Sequence, residues 1–141
     1  MRIAVVDGQG GGIGRAVVEK IRKELQAEVE IVALGTNATA TSVMLKAGAD
    51  EGATGENAIL VNVKRVDIIA GVLGIISANS MLGELSPQMA LAIADSPALK
   101  LLLPLNRCNI EVVGSDKNTP LPALIAELVE SIRSKLEQSP R

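Results

Sequence analysis

The run Asp7-Gly8-Gln9-Gly10-Gly11-Gly12-Ile13-Gly14 puts one carboxylate, one amide and five glycines into eight consecutive positions. The apolar stretch Ile3-Ala4-Val5-Val6 precedes it, and a helix-like stretch, residues 15–25, follows. A strand that ends in a glycine-rich turn and opens a helix gathers unpaired backbone N–H groups and the positive end of a helix dipole at one point, an arrangement that suits a phosphate. Gly8 is expected to make the tight turn. Gly10, Gly11 and Gly12 let the backbone approach a pyrophosphate, and Gly14 lets the helix pack closely on the sheet. Asp7 either binds a ribose or holds N–H groups of its own loop. A glycine turn with no ligand is the plainer alternative, and the strand before it and helix after it weigh against that.

A second test falls where the next apolar run ends, the place at which an acidic side chain would bond the ribose 2′-OH of NAD. Here stand Leu34, Gly35, Thr36 and Asn37. With no carboxylate to repel it, a 2′-phosphate is expected to be taken by Thr36, Asn37, Thr39 and the start of the following helix, with Arg15 as a nearby cation. This tilts the reading from NAD toward NADP, while Asn37 also suits a helix cap. A third cluster, Pro104-Leu105-Asn106-Arg107-Cys108-Asn109, is dense polarity between two apolar runs. Arg107 is expected to meet a phosphate or carboxylate and is placed to activate the Cys108 thiol. The plainer alternative, favoured for the cysteine, is a tight turn with Asn106 and Asn109 on backbone groups and Cys108 as a small buried hydrophobe. Asn79, Ser80 and Glu84 sit in a loop interrupted by Gly and Ser that either closes over a ligand or only caps and turns.

What the chain lacks narrows its chemistry further. Among 141 residues there is no Phe, Trp, Tyr or His, although 48% are hydrophobic. The core must be aliphatic. Without His or Tyr the commonest general acid–base, the commonest metal ligand and the phenol of many carbonyl reductases are missing. No carboxylate pair or Cys/His cluster has metal-site spacing, so no metal is expected. A net charge of −2, with no basic block and no aromatic ring to stack on bases, argues against nucleic acid. The single cysteine and the absence of a leader-like N-terminus point to a reduced cytoplasmic setting. The longest uncharged stretch, residues 68–83, falls short of the roughly 20 residues a membrane span needs, so no membrane is expected. So much aliphatic surface on a small chain favours a homo-oligomer.

The positioning elements follow from the periodicity, which alternates between short β-like runs and helical faces, as a parallel α/β sandwich requires. Strands are expected at 2–6, 29–34, 49–53, 66–72 and 99–103, with a short β-run at 110–113. Helices are expected near 15–25, 38–47, 54–64 with Thr54 as cap, 87–94 with Ser86 as cap, and 122–136. In the first helix Ile13, Ala16, Val17, Val18, Ile21 and Leu25 form the buried stripe, and Lys20, Arg22, Lys23 and Glu24 face water. Ligands of such sheets gather at the carboxyl ends of the strands, where strand order reverses. On that rim would lie residues 7–14, 35–37, 71–74 and 104–108.

Over eight residues the spacing Gly8-x-x-x-Gly12-Ile13-Gly14 resembles the glycine loop of short-chain dehydrogenase/reductases, and that loop implies NADP or NAD. The likeness ends at the loop, because those enzymes use a Tyr and Lys pair and this chain has no Tyr. Over nearly its full length the chain resembles the bacterial family 3842 of the domains of unknown function. The resemblance is carried by residues 7–14 together with Ala33-Leu34-Gly35-Thr36-Asn37, residues 47–57, Ala78-Asn79-Ser80-Met81-Leu82-Gly83-Glu84 and Leu105-Asn106-Arg107-Cys108-Asn109. It implies a Rossmann-like fold and carries no activity or substrate with it. The expectation is a three-layer α/β/α sandwich with a mostly parallel sheet, one nucleotide-binding domain over residues 1–136 and a frayed tail over 137–141. The ligand is a nucleotide, NADP or NAD, or another phosphate-bearing small molecule. Two classes stay open: a reductase drawing its proton from water, Asp7, Glu84 or Cys108, and a non-catalytic nucleotide- or phosphate-sensing module acting through a protein partner.

Overall fold

Alternation along the first strand sets the architecture. In β1 (Arg2–Asp7) Ile3 and Val5 point to one face and Ala4 and Val6 to the other, and all four are buried. A strand apolar on both faces must be covered twice, and it is. This computed structural model describes residues 1–105 and 108–138. Around β1 it arranges β2 (Glu30–Gly35), β3 (Glu51–Thr54), β4 (Ile68–Val72) and β5 (Leu99–Leu103) in the order β3-β2-β1-β4-β5. Every pairing is parallel.

Helices α1 (Gly12–Leu25), α2 (Ala38–Ala47) and α5 (Leu121–Gln138) cover the face of Ile3 and Val5. Helices α3 (Glu56–Asn62) and α4 (Pro87–Asp95) cover the face of Ala4 and Val6. The result is a Rossmann-like α/β/α sandwich. Strand order runs outward from β1 through β2 to β3, then reverses to β4 and β5, so the switch point lies between β1 and β4. With no aromatic bulk, Val17, Val18, Ile21 and Leu25 of α1 meet Ala40 and Met44 of α2 and Ile125, Val129 and Ile132 of α5. Each fully buried aliphatic side chain of this size contributes about 1.5–3 kcal/mol relative to exposure.

Caps place the helices as their sequences require. The Asn37 side chain accepts from the Ala40 N–H at 2.9 Å, and Ser86 Oγ accepts from the Met89 N–H at 3.2 Å with Pro87 opening α4. Three expectations fail. Thr54 does not cap α3, because it is the last residue of β3, in register with Gly35, and Gly55 at φ +99° makes the break instead. Residues 110–113 form no strand; the Ser115 N–H turns back to the Val112 carbonyl and no strand pairs with the run among the described residues. Helix α5 runs on to Gln138, past the expected end at 136, and 139–141 lie outside the described residues. No helix among the described residues is long and apolar enough to cross a membrane.

Candidate functional site

The carboxyl ends of β1, β4 and β5 open onto one cleft of about 720 Å³ at the switch point. One wall is Asp7, Gly8, Gln9, Gly10, Gly11, Gly12 and Ile13. The other is Val72, Gly74 and residues 77–82, with Leu105 and Cys108 beyond β5. Gly71 lies just below this rim, where a Cβ would come within 2.9 Å of the Val6 carbonyl, so close strand contact accounts for it.

Within the loop the glycines divide into two kinds. A Cβ on Gly8 would come within 2.6 Å of Thr36 Oγ1, one on Gly14 within 2.6 Å of Met44 Sδ, and one on Gly11, itself at φ +71°, within 2.8 Å of the Ala40 backbone. Folding explains these three. Gly10 and Gly12 have nothing within 4 Å of such an atom and do not require positive φ. Both line the cleft, so the space a side chain would fill there is space a ligand can use.

The loop's N–H groups divide in the same way. Asp7, buried at the tip of β1, accepts from the Gly8 N–H at 2.8 Å through Oδ1 and from the Gly14 N–H at 2.6 Å through Oδ2. The Gln9 N–H goes to Glu84 and the Gly11 N–H to the Gly8 carbonyl. Among the described residues the N–H groups of Gly10, Gly12 and Ile13 take no partner. They stand at the start of α1, where the helix dipole favours an anion. Asp7 thus holds two N–H groups of its own loop, and its carboxylate already occupies part of the helix terminus.

Glu84 arrives from the connection between β4 and α4. Its Oε1 accepts from the Gln9 N–H at 2.8 Å, from Thr36 Oγ1 at 2.7 Å and from Asn37 Nδ2 at 2.8 Å. These donors, the Gln9 N–H foremost, hold its carboxyl below the ordinary value against a smaller opposing effect of burial. A carboxylate so held favours its ionised form, which weighs against the general-acid role expected for it. The arrangement also bears on the residues expected to take a 2′-phosphate. Thr36 and Asn37 already serve a carboxylate, whose charge would repel a phosphate, and Arg15 lies on the outer face of α1 paired with Glu19 at 3.0 Å.

Of the expected site residues, Asp7 to Ile13 and Asn79 line the cleft, and Gly14 lies beneath it against Asp7 and Met44. Gly35, Thr36 and Asn37 lie outside its lining. Gly35 packs against Thr41, while Thr36 and Asn37 are held by Glu84. Asn106 and Arg107 fall outside the described residues. Cys108 is exposed on the rim, not buried: at φ +66° it turns its Sγ toward Gly74, where a Cβ would lie 3.4 Å away. On the wall from 77 to 82, residue chemistry singles out Asn79 and Ser80. Met81 and Leu82 add apolar surface there that no polar motif announces, and Leu82 is 97% exposed. Among the described residues the lining has no Lys or Arg, and no group of His, Cys, Asp and Glu is placed to hold a metal ion.

Over residues 2–137 the chain matches the family described as a domain of unknown function, DUF3842, and it belongs to that family. No curated protein matches it. Among solved structures it is similar to a dodecameric FMN-dependent UbiX-like decarboxylase from Escherichia coli O157:H7, with 13% identity and a TM-score of 0.44 over 97% of this chain and 95% of that one.

Proposed function

We propose that this member of the DUF3842 family binds a nucleotide in the cleft between β1 and β4, with a phosphate on the N–H groups of Gly10, Gly12 and Ile13. The observation that carries this reading is the pair Gly10 and Gly12. Neither is glycine for the sake of the fold, both face the cleft, and with Ile13 they supply the loop's N–H groups that take no partner among the described residues. The dinucleotides NADP and NAD, expected from the spacing of the loop, are not carried forward, because the groups that would receive their second ribose are bonded to Glu84.

Mass spectrometry of small molecules released on denaturing the freshly purified protein tests the reading, with Gly12→Asp as control. A Cβ at Gly12 meets open space, so the control folds while its carboxylate repels phosphate. A nucleotide recovered from wild type alone supports the proposal. An empty protein that also fails to bind added nucleotides overturns it.

A non-catalytic sensing module is favoured over a reductase by the lip of the cleft. Leu82, almost fully exposed, adjoins the ligand space, where a change in occupancy would change the surface offered to a protein partner. Homo-oligomerisation remains part of the proposal, supported by Leu91 on α4 and Leu99 at the start of the edge strand β5, 67% and 41% exposed. Ligand-dependent change in mass by light scattering would distinguish the sensing module from a reductase.

A further inference from the structure

Between β4 and α4 the chain forms a strap that crosses the glycine loop. Asn79, Met81, Leu82 and Gly83 have φ of +67°, +57°, +56° and +90°, a concentration of left-handed backbone that three non-glycine residues adopt only under constraint. The constraint is visible. The Asn79 N–H bonds the Leu85 carbonyl at 2.8 Å, the Leu85 N–H returns to the Ser80 carbonyl at 3.3 Å, and Ser80 Oγ donates to the Gly74 carbonyl at 2.6 Å. The strap passes directly over Gly8, where a Cβ would meet Met81 Sδ at 2.7 Å and Glu84 Oε1 at 3.1 Å. Glu84 then ties its far side to Gln9 and to the tip of β2 through Thr36 and Asn37.

This divides the crevice at the strand ends. The β4 and β5 side is the open cleft, while Thr36 and Asn37 on the β2 side are absent from its lining. In doubly wound sheets a dinucleotide lies across both sides, with one ribose at the tip of the second strand. We infer that Glu84 is a specificity-determining residue: by fixing the strap over Gly8 it closes the β2 side and restricts the site to ligands the size of a mononucleotide. The inference rests on the nucleotide reading above and narrows its ligand class. Glu84 acts through the strap and is a positioning residue.

Calorimetric titration of wild type, Glu84→Ala and Thr36→Val with nicotinamide mononucleotide, AMP and NAD tests it. Thr36→Val removes one donor to Glu84 while keeping the side-chain shape, so it reports even where Glu84→Ala fails to fold; circular dichroism melts check both. Wild type is expected to bind at least one mononucleotide about tenfold or more tighter than NAD. Both variants are expected to bring that preference to within about threefold by gaining affinity for NAD, a change in ratio that loss of stability alone would not give. NAD binding wild type as tightly as either mononucleotide, or folded variants with an unchanged ratio, overturns the gate and leaves the nucleotide reading standing. Wild type that binds none of the three probes overturns both.

Discussion

Asp7 Oδ2 accepts a hydrogen bond from the backbone N–H of Gly14 at 2.6 Å, joining the last residue of β1 to the first turn of α1. Its Oδ1 does the same for Gly8, so one buried carboxylate sets the shape of the loop between them. Hydrogen bonds to a charged acceptor contribute about 1.5–3 kcal/mol each, and Asp7→Ala is expected to cost about 3 kcal/mol or more because it also orphans two N–H groups. Asp7→Asn keeps one acceptor and should cost about 1–2 kcal/mol. Removing a negative charge beside the N–H groups of Gly10, Gly12 and Ile13, which take no partner among the described residues, should at the same time tighten phosphate binding. Urea unfolding followed by far-UV circular dichroism, paired with phosphate titration, checks both directions; weaker binding by a folded Asp7→Asn would contradict the second.

The two kinds of glycine predict opposite mutational outcomes. Gly14→Ala drives a methyl group against Asp7 Cβ and Met44 Sδ, at 2.8 and 2.6 Å, and is expected to cost about 1–3 kcal/mol through overpacking. Gly10→Ala and Gly12→Ala meet open space and should change stability by less than about 0.5 kcal/mol. Their effect should appear in binding instead, with phosphate and nucleotide affinity reduced about tenfold. Melting temperatures and calorimetric affinities for the three variants make the comparison, and unchanged affinity in both cleft variants would remove the phosphate from this loop.

Acid should release the strap. Glu84 and Asp50 both titrate below their ordinary values of 4.5 and 3.8, Glu84 chiefly through the Gln9 N–H and Asp50 chiefly through the Ile31 N–H. A carboxyl whose folded value is depressed contributes stability that is present above its unfolded value and is lost as pH falls through the folded one. Melting temperature should therefore hold near neutrality and fall once pH drops below about 4.5. Glu84→Gln, which has no such proton to take up, should show a shallower acid limb, and superimposable limbs would separate Glu84 from this linkage.

Arg22 marks the limit of what helical periodicity can reveal. The stripe of α1, the alternation of strands and helices and the Asn37 and Ser86 caps are all legible, because each follows from local spacing or local chemistry. Arg22 lies on the side of α1 that periodicity assigns to water, yet its side chain is only 25% exposed and its guanidinium bonds Asp50 at 2.7 Å, the Gly48 carbonyl at 3.0 Å and the Val29 carbonyl at 3.2 Å. Those partners come together only after β2 and α2 have packed. The partners of Glu84 escaped for the same reason, since it reaches Gln9 and Thr36 across 75 and 48 residues of chain. Arg22→Lys, which cannot hold that planar fork, is expected to cost about 1–3 kcal/mol, whereas Lys23→Ala on the exposed face should cost less than about 0.5 kcal/mol. Chemical denaturation of the two variants tests the contrast.

Cys108 offers a direct report on occupancy of the cleft. A buried cysteine would resist alkylation in the native state, but here the side chain is exposed at the rim with its Sγ directed at Gly74, and both residues line the cleft. Native protein is therefore expected to react with iodoacetamide as readily as an accessible thiol does, without prior unfolding. A nucleotide seated on Gly10, Gly12 and Ile13 and extending toward β5 should slow that reaction, and the protection should disappear in Gly12→Asp while the unliganded rate stays the same. Alkylation followed by intact-mass spectrometry measures both rates. Protection in wild type but not in Gly12→Asp would connect the phosphate end of the site to its β5 end. Equal rates with and without a bound nucleotide would instead confine the ligand to the wall formed by the loop and the strap.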